Sequence, residues 1–130
     1  MKVVDASVII DAFSGVGQRG LRATYMLEAD DLVAPAHIDI EALSGWRRQV
    51  AAREMSAEAA RHAIQALSKL VIERIPHEPL LNRIWELREN VTAQDAAYVA
   101  IAEMLGAPLL TTDARLSRVS GPRCEFQLIA

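Results

Sequence analysis

The sequence predicts an α/β fold in which helices cover both faces of a central, mainly parallel sheet. Short apolar runs that suit buried strands alternate with longer amphipathic segments that suit helices. This alternation is typical of strand–helix–strand units, whose connecting helices pack on the two faces of a parallel sheet. The 130 residues, 52% of them hydrophobic, are enough for one domain over 1–130 with its own core.

The first half of the chain contains two predicted strands. The predicted elements, in order, are a strand led by 3–4, helices at 7–13 and 21–29, a strand at 32–34 and a helix at 38–52. Ser56 is predicted to cap the next helix, because its hydroxyl can accept a hydrogen bond from an otherwise unpaired backbone N–H. Apolar residues between 60 and 71 then recur at helical spacing and mark the buried face of that helix.

The second half contains the clearest helix of the sequence. Thr92 is predicted to cap a helix over 93–105, and Gly106 followed by Pro108 ends it in the usual order. Residues 71–75 fit either a short strand or the tail of the preceding helix. The other predicted elements are a helix at 80–90 and strands at 109–112 and 126–129.

The composition argues against several classes of protein. A single cysteine, Cys124, cannot form an intramolecular disulfide, which favours a cytoplasmic protein over a secreted scaffold. No apolar stretch approaches the ~18 residues that a membrane span needs, and acidic residues interrupt the first apolar run, so neither a membrane anchor nor a signal peptide is expected. Aromatic residues make up 5% of the chain, too few for a surface built on many base-stacking platforms.

Four acidic residues stand at the edges of apolar elements: Asp5, Glu41, Asp95 and Asp113. Asp5 and Asp113 each follow a predicted strand, and ligands bind at the carboxyl ends of parallel strands, so these two residues are expected to share a site. Asp95 lies in the first turn of one predicted helix and Glu41 lies early in another. Carboxylates gathered from separate elements are the ligands that a hard cation such as Mg²⁺ requires.

Each acid also has an ordinary structural explanation. Asp5 could form a turn that caps the segment after it, and Asp113 could cap the short segment that follows it. Asp95 could fold back on the amide of Thr92 in a capping box, which for an isolated aspartate is the favoured interpretation. Most helical glutamates, such as Glu41, are simply solvated. The four residues therefore point to a cation site only if they converge.

Polar side chains close in sequence could support such a site. Ser7 lies two residues after Asp5 and could orient its carboxylate. Arg48 lies one or two helical turns from Glu41, and Arg115 lies just after Asp113. Both arginines are therefore candidates to contact phosphate. Other catalytic chemistries lack their residues, since the histidines show no metal-ligand spacing and no nucleophile elbow or phosphate-binding glycine loop occurs.

Four segments follow the order and spacing of a known family: VVDAS at 3–7, Pro35 followed by Glu41, TAQDAAYVA at 92–100 and LTTDARL at 110–116. On these segments the chain resembles the PIN-domain ribonucleases, and most closely the VapC toxins of prokaryotic toxin–antitoxin pairs. The resemblance extends over nearly the whole chain. It implies a PIN-like three-layer fold and a toxin that hydrolyses RNA.

The resemblance also implies roles for individual residues. It places a metal-site acid at each of the four positions above, with Asp5 and Asp95 binding Mg²⁺, or Mn²⁺ in its place, most directly. It places supporting hydroxyls at Ser7 and Thr111. It further implies a homodimer and a cognate VapB-type antitoxin that blocks the active site. Trp46, five residues after Glu41, could then lie near the cleft or at a dimer contact.

The mechanism expected from these residues is metal-assisted hydrolysis of an RNA phosphodiester. One Mg²⁺ would activate a water molecule and a second would stabilise the leaving 3′-oxygen, producing a 5′-phosphate and a 3′-hydroxyl. Two other functions stay open. One is a catalytically silent PIN-like module that binds a protein. The other is a receiver-like or phosphatase-like domain that uses Asp5 as phosphoryl acceptor, although such sites usually add a lysine and this chain has only Lys2 and Lys69.

Overall fold

A five-stranded sheet forms the centre of the computed structural model, which describes residues 1–14 and 17–130. The strands are β1 (Lys2–Val4), β2 (Leu32–Pro35), β3 (Glu73–Ile75), β4 (Leu109–Thr111) and β5 (Phe126–Leu128). The helices are α1 (Ala6–Ser14), α2 (Gly17–Glu28), α3 (Ile38–Ala51), α4 (Ala57–Lys69), α5 (Leu81–Glu86) and α6 (Ala93–Leu105). Single turns of 3-10 helix occupy Glu78–Leu80 and Leu116–Arg118.

The strands lie in the order β3-β2-β1-β4-β5 and every neighbouring pair is parallel, which confirms the predicted fold class. β1 occupies the centre, where Val3 pairs with Val33 of β2 on one side and with Leu109 of β4 on the other. The chain builds one half of the sheet outward from β1 and then crosses to the other side. A parallel sheet opens a crevice at the carboxyl ends of its strands where the order reverses in this way, here between β1 and β4.

Both faces of the central strands are buried. The consecutive residues Val3 and Val4 have no solvent exposure, and neither have Leu109 and Leu110 of β4. Because successive side chains of a strand point to opposite faces, helices must cover the sheet on both sides. No helix in the described ranges is both long and apolar enough to cross a membrane.

Helix α6 is the most deeply buried helix and packs against β1, β2 and β4. All of its residues from Ala96 to Ala102 are buried, and four of these seven are alanines, whose small side chains allow close approach to the sheet. Its ends follow the prediction. The Thr92 hydroxyl accepts a hydrogen bond from a first-turn N–H, and Gly106 ends the helix in the left-handed conformation at φ 62°.

Two helices differ from their predicted bounds, and one open alternative is decided. Within the segment 71–75, for which a strand and a helix tail were both open, Glu73–Ile75 forms strand β3, which pairs with β2 at the edge of the sheet. The helix predicted over 80–90 is shorter, because the chain first makes a 3-10 turn and α5 then ends at Glu86. Helix α2 begins at Gly17, four residues before the predicted start.

Trp46 lies in the core, so neither the cleft nor a dimer surface can use it. Its side chain is 1% exposed. The indole N–H donates to the backbone oxygen of Ile10 at 3.3 Å, and the ring packs against Phe13 with 6.3 Å between ring centroids. Both interpretations considered for Trp46 are therefore wrong, because the residue joins α3 to α1 inside the molecule.

Candidate active site

Asp5 directly follows β1 and is held by two hydroxyl groups. Its side chain is buried, and the hydroxyls of Ser7 and Thr111 each donate to its Oδ2 atom at 2.7 Å. The Ser7 hydroxyl also accepts the N–H of Thr112 at 3.1 Å, and the Thr111 hydroxyl accepts the N–H of Asp113 at 3.0 Å. This network joins the end of β4 to the start of α1, so the orientation of the carboxylate is fixed by two separate elements.

The carboxylate of Asp5 keeps one oxygen for another ligand. Both hydroxyl bonds end on Oδ2, and no donor from residues 1–14 or 17–130 reaches Oδ1. Burial raises the pKa of Asp5, the bonds from Ser7 and Thr111 act against that rise, and the charges of Glu41 and Asp113 add to it. A buried carboxylate beside other carboxylates gains stability from any cation that reaches it.

Asp95 lies in the first turn of α6, where it faces the other acids. Its backbone N–H donates to the Thr92 hydroxyl at 3.3 Å, which is half of the predicted capping box. Burial, together with the charges of Asp5, Glu41 and Asp113, raises the pKa of its carboxyl to about 6, although the Thr92 hydroxyl acts in the other direction. The structure therefore brings all four predicted acids within range of mutual repulsion.

Glu41 is bound through a single oxygen atom by two neighbours. The hydroxyl of Tyr98 donates to Glu41 Oε1 at 2.8 Å, and Nε2 of His37 lies 3.0 Å from the same atom. Nε2 of His37 is also 3.3 Å from the backbone oxygen of Gln94, and its ring meets Tyr98 edge-on at 5.4 Å. The hydrogen bond with Glu41 raises the pKa of His37, although burial of the ring acts in the other direction.

His37 and Tyr98 contact the acids although neither is predicted from the sequence to belong to the site. Each has a signal in the sequence, since His37 precedes Glu41 by four residues and Tyr98 follows Asp95 by three. Residues at these separations lie on one face of a helix. The signal identifies the shared face within each helix, whereas the contact between Tyr98 and Glu41 depends on how α3 and α6 pack.

Asp113 combines its ordinary capping role with a position near the other acids. Its Oδ1 atom accepts the N–H of Arg115 at 2.9 Å and that of Leu116 at 3.3 Å, so it caps the 3-10 turn that follows β4. The guanidinium of Arg115 lies 3.7 Å from the same oxygen and its side chain is 92% exposed. Arg115 is thus on the rim of the acidic region and can turn toward an incoming anion.

An open groove of about 570 Å³ runs between α3 and the start of α6. It is lined by His37, Ile40, Glu41, Ser44, Arg48, Thr92, Gln94 and Asp95. Arg48 is exposed there and makes no ion pair with any residue that the structure describes. A cation without an acidic partner beside two carboxylates is suited to bind an anionic ligand that spans the groove.

The acids converge on one region without forming a complete cage of side chains. Among residues 1–14 and 17–130, no three histidine, cysteine, aspartate or glutamate side chains are close enough to hold a metal ion by themselves. The protein thus concentrates negative charge at the carboxyl ends of β1 and β4, and leaves room for ligands from solvent or substrate.

The sequence profile of the PIN domain matches residues 2–122. Ribonuclease VapC1 of Mycobacterium tuberculosis is 42% identical over 128 residues, which cover 98% of this chain and 96% of that protein. The chain belongs to the PIN-domain family. Ribonuclease VapC9 of the same species is also similar, with 38% identity over 99% of this chain and 98% of its own length.

A solved structure supports the fold. Mycobacterium tuberculosis VapC20, described as a toxin that cleaves the sarcin–ricin loop, superposes with a TM-score of 0.70. The match covers 90% of this chain and 93% of that one at 17% sequence identity, so it bears on architecture alone. Membership of the PIN family also removes the basis for a receiver-like or phosphatase-like domain built on Asp5.

Proposed function

We propose that the chain is a Mg²⁺-dependent endoribonuclease and the cytoplasmic toxin of a type II toxin–antitoxin pair. The observation that carries the proposal is the meeting of Asp5, Glu41, Asp95 and Asp113 near the carboxyl ends of the central strands. There the charges of the other three acids raise the pKa of Asp95, and those of Glu41 and Asp113 raise the pKa of Asp5. Full-length relatives named as VapC ribonucleases support the same conclusion. These two observations are of different kinds, because one concerns the charges that meet in the structure and the other concerns similarity along the whole sequence.

The acidic region fits Mg²⁺, or Mn²⁺ in its place, better than a softer metal. Every side chain offered is an oxygen donor, and Asp5 presents an oxygen that accepts no hydrogen bond in the described part of the chain. Mg²⁺ typically binds proteins through one or two carboxylates and keeps several water molecules, so it needs no cage of three side chains. In the proposal Asp5 and Asp95 hold the ion most directly, and Asp113 and Glu41 complete the negative site.

The residues of the chain have separate tasks in the proposed hydrolysis. Mg²⁺, when bound, supplies a Lewis acid that lowers the pKa of a coordinated water molecule and stabilises developing charge on phosphate oxygens. Ser7 and Thr111 hold Asp5 in a single orientation. Arg48 and Arg115 attract the phosphates of the RNA on either side of the acidic region. The products are a 5′-phosphate and a 3′-hydroxyl.

The proposal includes partners that the VapC relationship suggests. The substrate is RNA with an unpaired or looped segment, because the bases of such a segment can be splayed out to reach an open groove. A VapB-type antitoxin would restrain the activity by covering the site, and the active form would be a homodimer. The alternative is a catalytically silent PIN-like module whose function is to bind a protein.

A cleavage assay with matched variants tests the proposal. The purified protein is incubated with cellular RNA in Mg²⁺ or in EDTA, and the new 5′ ends are sequenced. We expect Mg²⁺-dependent cuts at defined positions and their loss in Asp95→Asn, since the amide keeps the shape of the side chain but loses its charge. Glu58→Gln is the control, because Glu58 is an exposed acid on α4 outside the site.

Two outcomes would contradict the proposal. Full Mg²⁺-dependent cleavage by Asp95→Asn, in a preparation shown to lack wild-type protein, would exclude the acidic mechanism. Absence of any cleavage by the wild type across a broad RNA pool would favour the silent binding module.

A further inference from the structure

Tyr98 is a core residue whose polar end reaches the acidic region. Its side chain has no solvent exposure, and it lies on the face of α6 that also carries Asp95. Its hydroxyl nevertheless ends 2.8 Å from Glu41 Oε1, a carboxylate oxygen that belongs to α3. The bond therefore crosses the boundary between two helices, each of which carries one of the four acids.

His37 completes this contact from the solvent side. Its Nε2 atom lies 3.0 Å from the same oxygen of Glu41, so the two neighbours share Oε1. Neither of them approaches Oε2 within hydrogen-bond distance. A carboxylate with one oxygen held by a rigid, buried phenol has few orientations left, and its second oxygen points in a defined direction.

We propose that Tyr98 is a positioning residue that fixes the Glu41 carboxylate for the cation of the acidic site. The inference rests on the proposed function, and it assigns to α6 two tasks at once: Asp95 contributes charge, and Tyr98 aligns the charge contributed by α3. Hydrogen-bond partners behind metal-binding side chains tune affinity by orienting those side chains before the metal arrives.

The phenol is suited to this role because it stays protonated. Burial raises the pKa of Tyr98 far above its ordinary value, and the neighbouring charge of Glu41 raises it further. The phenol therefore donates to Glu41 Oε1 as a neutral group.

A merely structural role predicts a different result. A buried tyrosine usually needs a partner for its hydroxyl, and Glu41 could be that partner without any consequence for metal binding. In that case Tyr98→Phe would lower the stability of the protein and leave its affinity for divalent cations unchanged. In the positioning role the variant loses affinity for the cation even where it is fully folded.

The test compares two phenol-to-phenyl changes in the full chain. Mn²⁺ binding is measured by electron paramagnetic resonance of the free ion, and the Mg²⁺ dependence of RNA cleavage is measured alongside. For Tyr98→Phe we expect the Kd for Mn²⁺ to rise roughly tenfold, with KM for RNA unchanged at saturating Mg²⁺. Tyr25→Phe is the matched control, because Tyr25 is 71% exposed on α2 and should bind Mn²⁺ as the wild type does.

A double-mutant cycle decides whether Tyr98 acts through Glu41. Glu41→Gln alone should raise the Kd for Mn²⁺ at least as much as Tyr98→Phe, and adding Tyr98→Phe to it should cause no further loss. If Tyr98→Phe does not fold, an unchanged Kd in Glu41→Gln is sufficient to reject the inference. Wild-type Mn²⁺ affinity in folded Tyr98→Phe would overturn the positioning role alone, whereas a wild type that neither binds Mn²⁺ nor cleaves RNA would overturn the proposed function with it.

Discussion

Replacing Asp95 with asparagine should make the metal-free protein more stable while it removes the proposed activity. The half-buried Asp95 carboxyl has a pKa of about 6 because of burial and the charges of three other acids. Folding therefore favours the protonated form of this carboxyl more than the unfolded chain does. The stability that this carboxyl contributes is complete below its ordinary pKa of 3.8 and is lost as the pH rises through about 6.

The size of the effect follows from the pKa difference. At 1.36 kcal/mol per pH unit, the step from 3.8 to about 6 corresponds to about 3 kcal/mol once the pH is well above 6. Water reaches part of the side chain and screens the repulsion, so we expect about half of that value. Asp95→Asn should therefore raise the free energy of unfolding by about 1.5 kcal/mol at pH 8.

Urea denaturation in EDTA measures this difference directly. The measurement is made at pH 8 and near pH 4 on the wild type, on Asp95→Asn and on the exposed control Glu58→Gln. The free energy of unfolding of Asp95→Asn should be higher than that of the wild type at pH 8. Near pH 4, where the wild-type carboxyl is protonated, the two values should be similar. Added Mg²⁺ should stabilise the wild type much more than the variant, because a bound ion offsets the repulsion that the variant no longer has.

An Asp95→Asn variant no more stable than wild type at pH 8 in EDTA would show that the Asp95 charge does not destabilise the folded protein. A stability difference that is the same at both pH values would show this too, because an uncharged cause such as better packing would not follow the titration of a carboxyl. Equal gains in Asp95→Asn and Glu58→Gln would instead indicate a general effect of net charge.

Two further predictions concern basic residues. Arg48→Ala should weaken RNA binding and reduce the slope of log affinity against log salt by about 1, as filter binding can show, because one phosphate contact is lost. Arg83 forms two hydrogen bonds with Glu103, at 2.7 and 3.0 Å, and a third with the backbone oxygen of Gly121, so Arg83→Met should cost about 2 kcal/mol in urea denaturation. The exposed Arg61→Met is its control and should cost much less.

Parts of the molecule were predictable from sequence where single residues determine local structure. Thr92 and Gly106 bound α6 at both ends, since one satisfies an early N–H and the other adopts a left-handed conformation. Asp5 and Asp113 were expected at one edge of the sheet because each follows a strand. In a parallel sheet the carboxyl ends of all strands lie at the same edge, and β1 and β4 are indeed neighbouring parallel strands.

Other features depend on packing between distant segments, which periodicity does not encode. The contact of Tyr98 with Glu41 requires a particular approach of α6 to α3. Strand β3 has three residues, too few for a pattern to distinguish it from the end of α4, and only its pairing with β2 defines it. The position of Trp46 is hidden from sequence for a related reason, because its separation from Glu41 does not reveal that its side chain turns into the core.

The hydrogen bond from Thr111 to Asp5 spans 106 residues, and this separation affects when the protein can act during its synthesis. β1 emerges from the ribosome early, but its neighbour β4 is made long afterwards. Until β4 docks, Asp5 lacks one of its two hydroxyl donors and Asp113 has not joined the other acids. A nascent chain shorter than this span therefore has no assembled site. Under the proposed function, a cell translating the message is exposed to the nuclease only once the late strands have emerged and folded.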